Sequence, residues 1–387
     1  MAERKAIRLG SVVRTNVSTY SEKEGWAFVN YLDTGNITQD TISEIQRINV
    51  GTDKLPSRAR RKVQIGNIIY STVRPNQLHY GFIKSQPDNF LVSTGFAVID
   101  VNEKEAVPEY IYYFLTHRDV TERLQAIAEQ STSAYPSIKP SDIEDLTIDL
   151  PPIEEQRKIV GLLKMLDGKI KQNTEINNNL EQQAKSIYAS MFLDNVCDDW
   201  HQGVLSDIAE ITMGQSPSGS SYNEDGVGTV FFQGRAEFGF RFPTIRLYTT
   251  EPKRMARKND VLMSVRAPVG DLNVAHEDCC IGRGLGAIHS KDNHQSFVLY
   301  TMFSLRKELD VFNGEGTVFG SINRDSLNSM PIRIPPKEMM DEFEALVAPM
   351  DAIILNNHDE NCRLAGIRDS LLPRLMSGEL DVSNLDL

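Results

Sequence analysis

The sequence predicts a mixed α+β chain in which two similar globular domains are separated by two long antiparallel helices forming a coiled-coil spacer with pseudo-twofold symmetry. Three observations predict it. A heptad seam follows Pro151-Pro152, a second follows Pro335-Pro336 at an offset of 184 (151 to 335), and the segments before the two seams share short phrases in the same order. At 387 residues the chain exceeds one ordinary core, which fits two domains or more.

Residues 1–150 read as the first domain. Short β-like runs at 26–32, 63–73 and 90–100 are bounded by turn signals, and a helical pattern at 108–130 follows, marked by Tyr110, Tyr113, Phe114, Arg118, Leu124 and Ile127. A polar turn begins at Ser133. Ser141 is then placed to cap a short helical turn, and a strand-like run at 146–150 leads into the prolines, which a helix tolerates in its first turn.

Residues 151–195 form the first spacer helix. Its seam is Ile159, Leu163, Leu166, Ile170, Asn173, Asn177, Leu180, Ala184, Ile187 and Met191, alternating at spacings of four and three. About 33 residues at 1.5 Å each make it roughly 50 Å long. Residues 196–335 repeat the first plan: Leu205-Ser-Asp-Ile-Ala parallels Leu9-Gly-Ser-Val-Val, and the run from Asn259 to Arg266 parallels the run from Asn67 to Arg74 with a small register shift. Residues 336–387 hold the second helix and tail, with the seam Phe343, Val347, Met350, Ile354, Asn357, Asn361, Leu364, Arg368, Leu371 and Leu375. Two matched helices in one chain can be each other's partner, and the paired asparagines are placed to fix register. Pro349 is expected to kink or delay the second helix, and Arg368, standing where the first copy has Ala184, to snorkel to solvent.

A net charge of −12 argues at first against nucleic acid, but more than half of the excess falls on residues 336–387, leaving the globular segments near neutral. The four cysteines (Cys197, Cys279, Cys280, Cys362) show no CxxC spacing, so neither a zinc ribbon nor a disulfide framework is indicated, and a reducing cytoplasm is the expected home. No run of 18 apolar residues suggests a membrane span, and the N-terminus lacks a signal-peptide core. The sequence contains no GxxxxGK[ST] loop, no HExxH and no Asn-Pro-Pro-aromatic signature, so no catalytic residue and no metal site is expected. Gly282-Arg-Gly-Leu-Gly reads as a β-turn.

Four phrases carry a family resemblance: Leu150-Pro-Pro-Ile-Glu-Glu-Gln-Arg-Lys-Ile-Val, Arg368-Asp-Ser-Leu-Leu-Pro-Arg-Leu-Met-Ser-Gly-Glu, Asp260-Val-Leu-Met-Ser-Val-Arg-Ala-Pro-Val-Gly and Ile208-Ala-Glu-Ile-Thr-Met-Gly-Gln-Ser-Pro-Ser-Gly. Together with the duplicated arrangement they resemble type I restriction-modification specificity subunits over nearly the whole chain. The resemblance implies a non-catalytic subunit with two target-recognition domains, each reading half of a bipartite target in double-stranded DNA. It also implies two methyltransferase subunits bound along the helices, restriction and translocase subunits recruited to the assembly, and S-adenosylmethionine, ATP and Mg used only by those partners. In the second copy Lys337-Glu-Met-Met-Asp-Glu stands in place of the Glu-Glu-Gln opening, which leaves the equivalence of the two docking faces open.

DNA contacts are expected from the loops. In the first domain Arg58, Arg60, Arg61 and Lys62 form a basic run beside a predicted strand, suited to phosphate or to a solvated turn. Arg74, Asn76 and Gln77 bring together the side chains that pair with guanine and adenine edges, though the same residues can hold a loop. In the second domain the polar loop with Gln215, Ser216, Ser218 and Tyr222 can follow a phosphate backbone. Gln233, Arg235 and Arg266 end strand-like runs, while Lys253, Arg254, Arg257 and Lys258 make a second basic run, matched to the first in role and not by alignment. The rival readings are an adaptor whose globular domains bind protein or glycan, and an enzyme with a diverged active site.

Overall fold

In the computed structural model, residues 4–131, 135–197, 199–314 and 320–382 are described. The chain forms two compact units, one holding the residues up to Ile170 together with those from Cys362 onward, the other Lys171–Asn361. The division falls inside both long helices, Ile153–Phe192 and Lys337–Ser377.

In the first unit, β-branched and aromatic runs build two four-stranded sheets. One has the order Gln46–Asn49, Phe28–Leu32, Phe90–Ser93, Ala59–Lys62, with its central pair parallel. The other, all antiparallel, has the order Val13–Thr15, Phe96–Val101, Ile68–Ser71, Tyr80–Phe82. Lys5–Arg8 pairs with Thr147–Leu150 at the base, where the chain enters the first long helix. Helices Pro108–Thr116 and Arg118–Glu129 pack with Ile159, Val160, Leu163, Leu372 and Leu375 in one buried cluster.

The second unit repeats the plan. Ala209–Met213, Leu285–Ser290, Val261–Ser264 and Leu272–Val274 form the antiparallel sheet. Tyr222–Asn223, Leu247–Thr249, Thr229–Phe232, Cys279–Ile281 and Met255–Ala256 form the mixed one, with Thr229–Phe232 and Cys279–Ile281 again parallel. His201–Val204 pairs with Pro331–Ile334 before the second long helix. Ladder-like bonds outside the strands also repeat: Arg74 N donates to Pro136 O and Ala267 N to Gly320 O, each at 2.9 Å. Arg266 therefore corresponds to Val73 and not to Arg74, which is the register shift read from the sequence.

The long helices run antiparallel. In the second unit Asn177 Oδ1 accepts from Asn357 Nδ2 at 2.8 Å and Asn173 Nδ2 donates to Asn361 Oδ1 at 3.0 Å, so a step of four up one helix is a step of four down the other. In the first unit Arg368 reaches Asp167 at 2.9 Å. The seam positions are buried or half-buried, from Ile159 and Leu163 through Asn173, Asn177 and Ala184 to Phe343, Val347 and Ile354.

Several expectations change. The run 90–100 is two strands in different sheets, because the chain turns at Thr94-Gly95. Arg60, Arg61 and Lys62 of the basic run lie in the strand Ala59–Lys62 itself, with Arg58 just before it, while the strand expected over 63–73 is only Ile68–Ser71. Helix Pro140–Glu144 is capped at Lys139, whose N–H donates to Asp142 Oδ2 at 2.7 Å, and not by Ser141. Ser133 lies outside the described residues. The second long helix runs unbroken through Pro349; the carbonyl that proline leaves unpaired belongs to exposed Ala345, where water can satisfy it. Arg368 does not snorkel freely: its guanidinium is held by Asp167 and Asp369. Among the described residues no helix is long and apolar enough to cross a membrane.

Candidate nucleic-acid interface

In the second unit the candidate loops meet at one segment. Gly282-Arg283-Gly284 carries the chain from strand Cys279–Ile281 of one sheet to strand Leu285–Ser290 of the other. Arg254 O accepts from Ile281 N at 2.9 Å, and Ile281 O accepts from Gln215 N at 2.9 Å. Gly282 N donates to Phe232 O, next to Gln233, at 2.8 Å, and Val265 N, next to Arg266, donates to Gly284 O at 3.0 Å. Ser216 Oγ accepts from Arg283 N at 3.3 Å. The loops bearing Gln215, Ser216, Gln233, Arg254 and Arg266 are thus pinned to a single crossing by backbone bonds. Lys253, Arg254, Arg266 and Arg283 are exposed, and none of them makes an ion pair among the described residues.

Other candidates go elsewhere. Arg235 pairs with Asp271, which also takes Arg306 at 2.8 Å, and lines a cavity of about 470 Å³ with Phe238, Asn273 and Phe303. Ser218 bonds Ser220 at 2.8 Å within a tight turn, and Tyr222 donates to Pro217 O at 3.1 Å while packing on Phe231. The Gly214–Tyr222 stretch is therefore an ordered turn, with Pro217 and Ser221 buried.

The first unit has the corresponding crossing at Ser93-Thr94-Gly95. Thr94 N donates to Arg58 O at 2.8 Å and Thr72 N to Gly95 O at 2.8 Å. Tyr31 donates to Asp33 Oδ1 at 3.0 Å nearby, and burial pushes its hydroxyl pKa up. Of the basic run only Arg58 is exposed. Arg60 pairs with Glu22 at 2.9 Å, and Lys62 pairs with Glu24 while lying 5.1 Å from the Trp26 ring centroid. The Lys62 bond holds the Glu24 carboxyl below its ordinary range. Arg61 is half-buried, its Nε without a bond among the described residues, and burial lowers its pKa. Arg74 sits at φ +48°, a conformation costing a non-glycine residue about 1–3 kcal/mol, with its guanidinium 5.2 Å from the Tyr135 ring centroid. Asn76 and Gln77 are exposed on the short turn Pro75–Gln77, and Asn76 N donates to Gln125 Oε1 at 3.2 Å.

Sequence reasoning passed over Arg283 and Thr94. Gly282-Arg-Gly does form a turn, as read, yet the signal was there: a cation between two glycines, between two strand-like runs. The two basic runs also match more closely than expected, since Ala59–Lys62 and Met255–Ala256 pair antiparallel with corresponding strands. Among the described residues no His, Cys, Asp and Glu group is arranged to hold a metal ion.

The profile of the type I restriction modification DNA specificity domain matches twice, over residues 7–182 and 197–362. A putative type I restriction enzyme MjaX specificity subunit of Methanocaldococcus jannaschii is 30% identical over 84% of this chain and 80% of its own. The type I restriction enzyme HindI specificity subunit of Haemophilus influenzae is 25% identical over 98% of this chain and 100% of its own. In fold, the chain is similar to the crystal structure of a type I restriction-modification system S subunit from M. genitalium, with 15% identity, coverage of 99% and 97%, and a TM-score of 0.57. The chain belongs to the family of type I restriction-modification DNA specificity subunits.

Proposed function

We infer that this chain supplies sequence specificity to a type I restriction-modification complex and performs no chemistry itself. Each globular domain reads one half of a bipartite target in double-stranded DNA. Two methyltransferase subunits dock along the helical spacer, restriction and translocase subunits join the assembly, and S-adenosylmethionine, ATP and Mg serve those partners in the cytoplasm. The observation that carries this reading is the twofold match to the specificity domain, each match spanning a globular domain of the same sheet plan. In each domain, loops bearing arginine and polar side chains are tied to one crossing between sheets, a rigid mount for a reader. Two such readers in one chain suit a target in two parts.

The test is binding of the chain, assembled with its methyltransferase subunits, to DNA selected from a random library, followed across a salt series. A two-part consensus and an affinity that falls steeply with salt are expected, because phosphate contacts release counterions. Affinity without sequence preference, or none, would favour the adaptor reading.

A further inference from the structure

Arg283 is held on both sides. A Cβ on Gly282 would lie 2.8 Å from the Gln233 carbonyl oxygen and 3.1 Å from Ser216 Oγ, and one on Gly284 would lie 2.9 Å from the same carbonyl. Only glycine fits this close approach, so the backbone on either side of Arg283 is packed directly against the Gln233 loop. Bonds donated to Arg254 O, Phe232 O and Ser216 Oγ, and one accepted from Val265 N, fix the same few residues. The side chain itself is exposed and free of any ion pair among the described residues.

That combination separates it from Lys253, Arg254 and Arg235 and is shared by Arg266, which is exposed beside Val265 on the same crossing. Lys253 and Arg254 precede a two-residue edge strand, and Arg235 is neutralised by Asp271. Phosphate attraction needs only charge, whereas reading a base needs donors in fixed positions. The guanidinium offers parallel donors that match guanine O6 and N7 in the major groove. Gln215 and Gln233, both exposed on the flanking loops, are the side-chain type that pairs with adenine.

The strand registers identify the corresponding position in the first unit. Val92 opposite Leu32 corresponds to Ile281 opposite Phe232, and Thr72 bonding Gly95 corresponds to Val265 bonding Gly284. Arg283 therefore corresponds to Thr94, which is also exposed.

We propose that Arg283 reads a guanine in the half-site of the second domain, and that Thr94 stands at the equivalent reading position of the first. The two half-sites then differ in stringency at that point, since threonine serves more than one base. This rests on the DNA-reading function given above.

The experiment uses the full chain assembled with its methyltransferase subunits and DNA selected from a library randomised over both halves, followed by competition binding at fixed salt. Arg283→Gln is expected to relax one guanine position in one half-site by about 5- to 150-fold, leaving the other half-site unchanged. Arg283→Lys keeps the charge and loses the fork; it should lose the same discrimination while keeping affinity for unrelated DNA. Uniform weakening on all sequences, with a shallower salt dependence, would make Arg283 a phosphate contact and overturn the proposal, as would unchanged specificity. Failure of the unaltered complex to select any two-part site would instead sink the functional reading, so the two failures are distinct.

Discussion

Asp167 and Asp351 stand at equivalent places on the two long helices, 184 residues apart (167 to 351), and each accepts a hydrogen bond from a tyrosine of its own unit. Tyr113 donates at 2.6 Å and Tyr300 at 3.1 Å. The arginine that faces each aspartate has a different origin. In the first unit it is Arg368, from the opposite helix, partly exposed. In the second it is Arg241, from the globular domain, 3% exposed and placed 3.2 Å from Asp351 and 3.1 Å from Glu181. The helix position matching Arg368 is Ala184, fully buried. Packing diverges in the same way. In the second unit Phe343 packs edge-on against Tyr188 and Phe192, with centroids 5.3 Å apart for Phe192 and Phe343, where the first unit has Leu372, Met376 and Ile159. The heptad frame and the tyrosine–aspartate anchor repeat, while charge and volume around them are balanced separately in each unit. A close-packed core forces this, because one changed side chain must be matched by its immediate neighbours.

The two arginines should show the largest difference between the units. Arg241→Ala should destabilise the second unit by about 3–5 kcal/mol, since it leaves half-buried Asp351 without its cation and buried Glu181 with Lys185 alone, 2.6 Å away. Arg368→Ala should cost about 1 kcal/mol or less, because solvent screens a partly exposed pair. Urea unfolding of the two variants measures both, and equal losses would contradict the contrast.

The asparagine layers come next. Asn177→Leu leaves Asn357 without its 2.8 Å partner and should cost about 1–3 kcal/mol. The double change Asn177→Leu with Asn357→Leu should recover most of that loss, and a double-mutant cycle reads the coupling.

The smallest effect is a pH response confined to the second unit. Burial first, and the neighbouring His276 second, lower the pKa of His358 from its ordinary 6.5. The folded state then binds fewer protons than the unfolded one, so this contribution is present above pH 6.5 and is lost as pH falls through the folded pKa. His358→Gln should flatten the stability profile below 6.5 in thermal melts; an unchanged profile would assign the response elsewhere.

What the sequence displayed followed the range of each interaction. The seams and the asparagine layers were legible because heptad spacing is local, and because the duplication supplied the partner helix. The break at Thr94-Gly95 was not, since it depends on two sheets meeting there. The basic run looked free because Glu22 and Glu24, which hold Arg60 and Lys62, lie 38 residues earlier in the chain. Arg368 looked like a snorkelling side chain because its partner Asp167 is 201 residues away. Arg283 was hidden by its own glycines: they spelled a turn, and only the fold showed how many loops that turn gathers.

The central claim is that two duplicated domains read two half-sites independently. Replacing residues 1–150 with the first recognition domain of another family member, and mapping the DNA sites bound and methylated by the assembled complex, tests it most directly. The account predicts that one half-site changes while the other half-site and the gap between them stay the same. A change in both half-sites would contradict it.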